Sequence, residues 1–577
     1  MSLTTVPIKK VAAIQPALSF SDEYTYFIQK GGAISTMQPY NSSNYDNSQI
    51  TFTVTPPSNE TVIDRYAAVE LKFRVAVTGS APGGGGNLLE LNSGIWGIRS
   101  FPLNSVTQTA TLNLNGTSTS TRPKEYISAL QWLVRYQMES GMYQTTFPSL
   151  PDNSQKYTDT YQHNTNVLNP VGNGEFYQES RGSFFVTVLP GSTGNLTTSA
   201  YIDFVVNEPV LLPPFSMSPG YKERGLTNVD KFDVTLSLAN LERIFCYNAT
   251  DGNALTSVSA SIISNPVLHL RQYTRPITMS IPDTILYGTE RILSYQTSAG
   301  SQASQLGTSS TFSVNSNQIQ LSLIPNEIIV FARRSDASLG TNGYQYSDCF
   351  AELVSVSVNF NNAAGLLSSA SEADLWRISV ENGLKMPFGQ WRGSGQYSAT
   401  DGNSSFIGVG SILVIRPYKD LGLPPDLASG VVGQSQNFSL TANFRNISSD
   451  TVDYTLFIVT VTDSILSINK SQAIEMAGVV TREEVLNAPE ADMDPTVMSG
   501  MYGGSVFGDI KKFFNKHKDI ISKGLDIYSN IGQKVADTIG VPEAKPFIDM
   551  QRKAVKGVTG FGMIPKSQKA RLKSYMS

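Results

Sequence analysis

Apolar and polar residues alternate in short runs over most of the chain, up to about residue 465. A period of two places successive side chains on opposite faces of a β-strand, so each run predicts a strand with one buried face. Glycine and proline clusters between the runs mark turns. The clearest runs are QITFTVTPP, AAVELKFRVAV, TATLNLNG, SFFVTVLP, FDVTLSL, QIQLSLIP, EIIVFAR, ELVSVSVNF, FSLTANF and YTLFIVTVTDSIL. This pattern predicts an all-β protein with a sandwich or jelly-roll architecture.

Two segments have apolar residues three and four positions apart, which is the period of a helix. In RPKEYISALQWLVRYQM, residues 122–138, a proline stands near the start, where proline favours a helix N-terminus. In SSASEADLWRISVENGL, residues 368–384, Ser371 is a suitable N-cap and Gly383 can end the helix. Both segments are predicted to be short helices inserted between strands.

The two predicted helices belong to an internal repeat. Each follows a strand with a similar ending, LNLN at residues 112–115 and VNFN at residues 358–361. A double proline comes later in each half, at Pro213-Pro214 and at Pro424-Pro425, and an amphipathic strand follows it. The same order in both halves predicts two similar sandwiches in tandem.

Composition adds a constraint on the surface and on the origin of the protein. Only 16% of the residues are charged, which is typical of proteins whose outer faces meet other proteins, and also of secreted β proteins. The chain has two cysteines, Cys246 and Cys349, and its N-terminus lacks the apolar stretch of a signal peptide. These features favour an intracellular, reducing origin. The sequence contains no run of 18 apolar residues, so we expect no transmembrane helix.

Residue patterns of catalytic and ligand-binding sites are not found in the sequence. His163 and His269 have no cysteine or glutamate at the spacing of a metal site. The glycine-rich stretches lack a phosphate-binding pattern. We therefore expect no catalytic residues, no cofactor and no metal. His269 is predicted to be a structural residue with a satisfied side chain, and the two cysteines are predicted to be small buried apolar residues.

The chain changes character at SGMYGGSVFG, residues 499–508. Residues 505–577 contain 14 basic and 6 acidic residues and carry a net charge of +8, whereas the rest of the chain carries −12. Apolar residues in this tail recur with a helical period beside lysines, which predicts a basic amphipathic helix. Such a helix is typical of segments that bind a membrane, nucleic acid or a protein partner, but it can also be an ordinary packed helix with no binding role. The candidate binding residues are Lys511, Lys512, Phe513, Phe514, Lys516, Lys518, Ile521 and Lys523.

Four segments resemble those of the double jelly-roll major capsid proteins of the virophage and polinton-like virus group. They are SNQIQLSLIPNEIIVFARR, GLLSSASEADLWRISVENG, GSILVIRPYKDLGL and the closing strands from residue 438. The resemblance spans about residues 50–480. It implies two tandem jelly rolls, three copies of which form a pseudo-hexagonal tile in the icosahedral shell of a double-stranded DNA virus.

The same resemblance implies a location and a set of partners. The protein is expected in the virion, after synthesis in the host cell without secretion. Its expected partners are further copies of itself, penton and minor capsid proteins, and packaged DNA or a membrane for the basic tail. Residues 83–86 and 297–310 are expected to form outer loops or inter-subunit contacts.

A viral cysteine protease is a further partner that the resemblance implies. Met501, Tyr502, Gly503, Gly504 and Ser505 fit the cleavage pattern of adenovirus-type cysteine proteases, which are associated with this virus group. In that pattern Met, Ile or Leu is followed by any residue and by Gly-Gly, with the cut after the second glycine. Paired glycines fit a narrow protease cleft because they have no side chains. The alternative is that these glycines form only a flexible hinge.

The predicted organisation has five parts: an N-terminal arm (1–48), a first jelly roll (49–282), a second jelly roll (283–472), a linker (473–504) and a basic helical tail (505–577). Two other functions remain open. A receptor-binding or penton-like β protein of the virion is one alternative, and pentons of this group have a single jelly roll. A glycan-active enzyme is the other, and it would need two carboxylates that converge in a cleft.

Overall fold

The computed structural model describes residues 34–80, 96–133, 152, 155, 186–190, 199–215, 225–247, 254–275, 281–336, 344, 346–361, 363–399, 402–423, 431–469, 472–477 and 480–481. Strands dominate these residues, as the period-two pattern predicts.

The first half of the chain forms two packed antiparallel sheets. Its strands are β1 (Ile34–Asn41), β2 (Asn44–Tyr45), β3 (Gln49–Val54), β4 (Val62–Ser80), β5 (Trp96–Ile98), β6 (Thr107–Leu114), β7 (Thr117–Thr121), β8 (Val186–Pro190), β9 (Ser199–Pro209), β10 (Phe232–Leu238), β11 (Phe245–Tyr247), β12 (Ala254–Ile262) and β13 (Val267–Thr274). One sheet has the order β1-β13-β4-β9-β8, with β12 also paired to β4, and the other has the order β2-β3-β10-β6-β7. Strands β5 and β11 form a separate pair.

The second half also forms two packed sheets. Its strands are β14 (Thr284–Gln302), β15 (Phe312–Asn315), β16 (Ile319–Leu323), β17 (Glu327–Arg334), β18 (Glu352–Phe360), β19 (Ala363–Leu366), β20 (Ser394–Ala399), β21 (Gly402–Ile407), β22 (Leu413–Ile415), β23 (Val431–Arg445), β24 (Val452–Asn469), β25 (Ala473–Ala477) and β26 (Val480–Thr481). One sheet has the order β14-β24-β17-β22, with β25 also paired to β24. The other has the order β15-β23-β18-β19, with β16 and β26 also paired to β23, and β20 pairs with β21 as a hairpin.

Both halves have the same strand topology. In the first half the eight principal strands are β1, β3, β4, β6, β7, β9, β10 and β13, and in the second they are β14, β15, β17, β18, β19, β22, β23 and β24. Numbered in this order, strands 1-8-3-6 form one sheet and strands 2-7-4-5 form the other in each half. This is the jelly-roll arrangement, so the predicted tandem repeat and the predicted all-β fold are confirmed.

Short helices interrupt the strands. They are α1 (Pro102–Val106), α2 (Pro123–Leu130), a 3-10 helix (Leu241–Ile244), α3 (Glu372–Glu381), α4 (Phe388–Arg392) and α5 (Pro417–Asp420). The two predicted helices are α2 and α3, and they occupy equivalent places after the hairpins β6–β7 and β18–β19. Helix α3 starts with a capping box, in which Ser371 and Asp374 bind each other's backbone N–H. Residues 134–138 of the first predicted helix lie outside the described residues.

The predicted domain limits need correction at both ends. Strand β1 starts at Ile34 and pairs with β13, so the first jelly roll includes residues that were assigned to the N-terminal arm. This strand contains Pro39, which is tolerated because β1 is at the edge of its sheet. Strand β25, within the predicted linker, pairs with β24 and extends the second jelly roll. Strand β14 continues to Gln302, so the first residues of the predicted loop at 297–310 are part of a strand.

The polar and sulfur-containing residues that were predicted to be structural have that role. The Nε2 atom of His269 lies 2.8 Å from a carboxylate oxygen of Glu70 on the neighbouring strand β4. Cys246 and Cys349 are both buried. His269 and Cys246 lie in the first jelly roll, and Cys349 is packed in the core of the second.

Candidate assembly site at the junction of the two jelly rolls

Equivalent asparagines close the same turn in each jelly roll. Asn115 follows β6 and Asn361 follows β18, and both have a left-handed backbone, with φ of 45° and 52°. Asparagine enters this region more easily than most residues because its short side chain forms local hydrogen bonds. The side-chain oxygen of Asn115 accepts from the N–H of Asp230 at 3.0 Å, and that of Asn361 accepts from the N–H of Asn437 at 2.8 Å. Asn115 therefore ties its turn to the segment just before β10, and Asn361 ties its turn to β23.

The two inserted helices bring equivalent segments together at the junction. Leu133 lies shortly after α2 and Leu384 shortly after α3, and the two residues pair as an antiparallel bridge. The N–H of Lys385 donates to the carbonyl oxygen of Trp132 at 2.8 Å. Both leucines are buried. The helix ends therefore connect one jelly roll to the other through backbone hydrogen bonds and apolar packing.

Each jelly roll also contributes apolar side chains to the core of the other. The core of the second roll includes Tyr126, Ile127, Ala129 and Leu130 of helix α2, which follows a strand hairpin of the first roll. The core of the first roll includes residues from the second half of the chain: Tyr287, Tyr344, Leu466, Ile468 and Ala473. Burial of apolar surface is the main favourable term in folding, so this exchange joins the two rolls into one packed unit.

Ion pairs cross the junction beside this apolar contact. Arg243 of the first roll lies 2.7 Å from a carboxylate oxygen of Asp336 and 2.8 Å from one of Asp348, both from the second roll. Lys124 approaches Asp336 at 2.9 Å, and Arg99 approaches Asp348 at 3.8 Å. Arg99 and Arg243 are buried, so these charges need their partners to offset the loss of water.

Arg333, at the end of β17, completes the cluster. Its side chain is fully buried. One guanidinium nitrogen donates to the carbonyl oxygen of Lys124 at 2.9 Å, another donates to Asp336 at 3.2 Å, and the group lies 4.8 Å from the ring centre of Phe457. Hydrogen bonding and ring stacking of this kind suit the planar guanidinium group.

The cations control the ionisation of the two aspartates. Burial by itself would raise the pKa of Asp336, but Arg333, Arg243 and Lys124 outweigh it and hold this pKa well below its usual range. The pKa of Asp348 is also lowered, because Arg243 and Arg99 outweigh the effect of burial. Both carboxylates are therefore ionised at neutral pH, and the cluster is held by full charges on both sides of the junction.

Arg65 makes a second polar connection. It is buried in β4 and donates to the carbonyl oxygens of Pro214 at 2.6 Å and of Gly288 at 2.9 Å. Its guanidinium lies 5.8 Å from the ring centre of Tyr287, whose hydroxyl accepts from the N–H of Thr227 at 3.0 Å. A strand of the first roll is thereby hydrogen-bonded to the first strand of the second.

A buried carboxylate fixes helix α1 inside the first roll. Glu208 accepts hydrogen bonds from the N–H of Leu103 at 2.6 Å, from the N–H of Asn104 at 2.9 Å and from the Asn104 side chain at 2.9 Å. Burial raises the pKa of Glu208 to about 7, although the three donors act in the opposite direction. This residue therefore titrates near neutral pH.

A polar cleft of about 410 Å³ opens at the junction. Residues of both rolls line it: Gln108, Arg122, Lys124, Glu125, Ser294, Gln296 and Asp336. Its two carboxylates are ion-paired, Glu125 with Arg122 at 3.4 Å and Asp336 with Lys124 at 2.9 Å. A glycosidase needs a carboxylic acid with a raised pKa, whereas the pKa of Asp336 is lowered. The cleft has the character of a structural ion-pair site.

The site residues predicted from sequence lie elsewhere in the chain. Met501 to Ser505 and the tail residues from Lys511 to Lys523 lie outside the described residues. Within the described part of the chain, no group of three or more His, Cys, Asp or Glu residues is placed to hold a metal ion. A search of that same part finds no helix long and apolar enough to cross a membrane.

The junction arginines were not predicted, although one of them has a sequence signal. In EIIVFARR the apolar run continues without a polar position up to Arg333, and every residue of this strand is buried. An arginine within such a run needs a buried partner, because burying an unpaired charge is very unfavourable. Arg99 and Arg243 lie in less regular surroundings, and their partners are more than 90 residues away.

Family models and known proteins match both halves of the chain. The model of the Sputnik virophage major capsid protein first domain matches residues 7–279, and the model of the major capsid protein V20 C-terminal domain matches residues 293–464. The capsid protein V20 of Sputnik virophage is 29% identical over 579 aligned residues, which cover 97% of this chain and 95% of V20.

Two solved structures have the same fold. The Sputnik virophage structure, determined by cryo-EM, contains a chain with a TM-score of 0.77 and 29% identity, and the match covers 87% of this chain and all of that one. The crystal structure of the mavirus major capsid protein has a TM-score of 0.69 and 17% identity, covering 85% of this chain and all of the mavirus chain.

Proposed function

The chain is a homologue of the virophage major capsid proteins along both of its jelly rolls, and we propose that three copies form a pseudo-hexagonal tile of an icosahedral virion shell. Its function is structural: it builds a capsid and is part of the virion. The observation that carries the trimer is the pair of jelly rolls with one topology, because three such chains supply six similar barrels. We also propose that the virion encloses a double-stranded DNA genome.

The junction supports this role. A tile needs two barrels at a fixed relative orientation, and the exchanged core residues and the Arg243 ion pairs supply that rigidity. Penton and minor capsid proteins are the further partners in the proposed shell. A penton-like role for the chain itself is disfavoured because the second jelly roll is present.

Oligomeric state tests the proposal directly. Purified full-length chain is expected to elute with a mass near three times 62.7 kDa by light scattering, and electron micrographs are expected to show pseudo-hexagonal particles. A chain that stays monomeric at every concentration would contradict the trimer. In that case the chain would still be similar to capsid proteins, but its assembly unit would not be a trimer.

Maturation by a viral cysteine protease is the finer part of the proposal. Cleavage after Gly504, within Met501 to Ser505, would separate the shell-forming body from the basic tail. The position of the site supports it: the cut would fall where the net charge of the chain changes from −12 in the body to +8 in the tail.

Mass spectrometry of virions tests the cleavage. The mature chain is expected to end at Gly504 and to lack the following 73 residues. Co-expression with the protease is expected to give the same product, and Gly504→Val is expected to block it because a branched side chain does not fit the cleft. Recovery from virions of a chain that is intact through Ser505 would refute the cleavage. Before removal, the basic tail is proposed to attract packaged DNA through its lysines.

A further inference from the structure

The lower part of the β14–β24–β25 sheet has an exposed apolar face. Leu286, Ile474 and Met476 are 52%, 51% and 39% exposed. In the sheet register, Leu286 is opposite Ser467, which is opposite Ile474, and Gly288 is opposite Ile465, which is opposite Met476. Residues directly opposite each other in adjacent strands share a face. Leu286, Ile465, Ile474 and Met476 therefore form one patch, called here the β25 patch.

The other face of the same strands is covered. Tyr287, Leu466, Ile468 and Ala473 alternate with the patch residues and belong to the core of the first jelly roll. The sheet is thus sealed on one side by the first roll, while the β25 patch on the other side faces solvent. Contiguous exposed apolar side chains are typical of binding surfaces.

The chain leaves the described structure beside this patch. Strand β25 pairs with β24 in one sheet, and β26 pairs with β23 in the other, so the chain crosses between the two sheets after Ala477. From Thr481, 96 residues follow to the C-terminus, and 29 of them lead to Ile510. A segment of that length reaches at most about 95 Å when extended, which is ample to return to the patch.

The tail has the chemistry that the patch requires. Its predicted helix combines Phe513, Phe514 and Ile521 with several lysines, and residues 505–577 carry a net charge of +8 against −12 for the rest of the chain. Aromatic rings can cover the exposed aliphatic residues, and the opposite net charges of the tail and the rest of the chain favour their association.

We propose that the tail segment around Phe513 and Phe514 docks on the β25 patch of its own chain before maturation. This rests on the proposed removal of the tail: the tail covers the patch in the newly made protein, and cleavage after Gly504 frees it for contacts in the assembled shell. The tail is then an intramolecular cover for a surface that should not be exposed too early.

Photo-cross-linking of the full-length chain, without protease, tests this docking. A photoreactive amino acid at Ile474 is expected to give cross-linked peptides from residues 505–530, and the same probe at the exposed Ile263 of the first roll is expected to give none. A mixture of isotopically light and heavy chains is expected to yield cross-links within one chain only. Because no protease is present, a negative result would refute docking and leave the cleavage proposal intact.

Tail variants show whether the contact is specific. The double variant F513A/F514A is expected to lower the cross-link yield at Ile474 by about ten-fold or more, since each ring buries apolar surface. Phe547→Ala, also in the tail but outside the predicted binding residues, is the matched control and is expected to leave the yield unchanged. Cross-links from Ile474 to the body of a second copy, or a yield that F513A/F514A does not alter, would overturn the proposal.

Discussion

Asn115 and Asn361 occupy equivalent left-handed turns in two different jelly rolls, and each accepts a hydrogen bond from a backbone N–H, of Asp230 just before β10 and of Asn437 in β23. Their positions differ by 246 residues, yet their φ angles are 45° and 52°. The internal repeat therefore extends to single hydrogen bonds, since equivalent asparagines adopt the same conformation and make the same type of contact at equivalent turns.

Replacing either asparagine by alanine is expected to destabilise the protein by about 1–2 kcal/mol, because alanine is disfavoured in the left-handed region and cannot accept the hydrogen bond. Chemical denaturation of Asn115→Ala and Asn361→Ala would measure this effect. The glycine variants are the controls: glycine adopts the turn easily, so each is expected to lose less than the alanine variant. Equal losses for glycine and alanine would show that backbone conformation does not matter at these turns.

Asp348→Ala is expected to lower the free energy of unfolding by about 3 kcal/mol or more, because it leaves Arg243 and Arg99 buried beside a smaller negative charge. Glu381→Ala is the matched control, since Glu381 pairs with Lys419 and both side chains are largely exposed. An exposed pair of this type contributes at most about 1 kcal/mol. Similar losses for the two variants would contradict the importance of the buried cluster.

The effect of Asp348→Ala is also expected to depend on pH. The folded-state pKa of Asp348 is lowered, so its stabilising contribution is complete above the ordinary value of 3.8 and is lost as the pH falls below it. Unfolding curves at pH 7 and pH 5 are therefore expected to show the same difference between variant and wild type. A difference that already shrinks between pH 7 and pH 5 would contradict the lowered pKa.

Glu208 is expected to produce the opposite pH dependence. Its pKa rises from 4.5 to about 7 on folding, so the folded protein keeps a proton that the unfolded chain releases in this range. The free energy of unfolding therefore falls as the pH rises from about 4.5 to 7, by up to about 3 kcal/mol. Glu208→Gln cannot titrate, and its stability is expected to lack this component. Parallel pH profiles for wild type and variant would refute the assignment.

Ser371→Ala is expected to destabilise helix α3 and the protein by about 1 kcal/mol, because it removes the capping box with Asp374. Ser369→Ala, two residues earlier in an exposed turn, is the control and is expected to change stability by less than about 0.5 kcal/mol. Thermal unfolding of both variants measures the difference. An unstable Ser369→Ala variant would indicate that the turn, and not the cap, stabilises this region.

Local patterns predicted much of the fold. The alternation of apolar residues located strands, and Ser371 with Gly383 located the ends of α3 correctly. The order of strand, helix and strand in both halves was sufficient to predict two similar sandwiches in tandem, and the resemblance to a capsid-protein family implied that they are jelly rolls. These features depend on residues that are close in sequence, where period and capping act directly.

Contacts between residues that are far apart in the sequence could not be predicted from these local patterns. A period of two shows that Tyr287 and Leu466 are on a buried face, but not that the face packs against the other jelly roll. The partners of Arg243 are likewise set by the meeting of two domains. Strand β1 was not predicted because Pro39 and exposed polar residues interrupt the alternating apolar pattern in this edge strand. The predicted tail and cleavage residues remain predictions.

Strands β14 and β24, which are 19 and 18 residues long, pair along their whole length and run through the cores of both jelly rolls. A force that pulls the two barrels apart must withdraw the ends of both strands from the core of the first roll, where Tyr287, Leu466 and Ile468 are buried. A hinge between separate barrels would instead open one contact at a time. In the proposed shell, each tile would therefore respond to load as a stiff plate, with deformation concentrated at the seams between tiles.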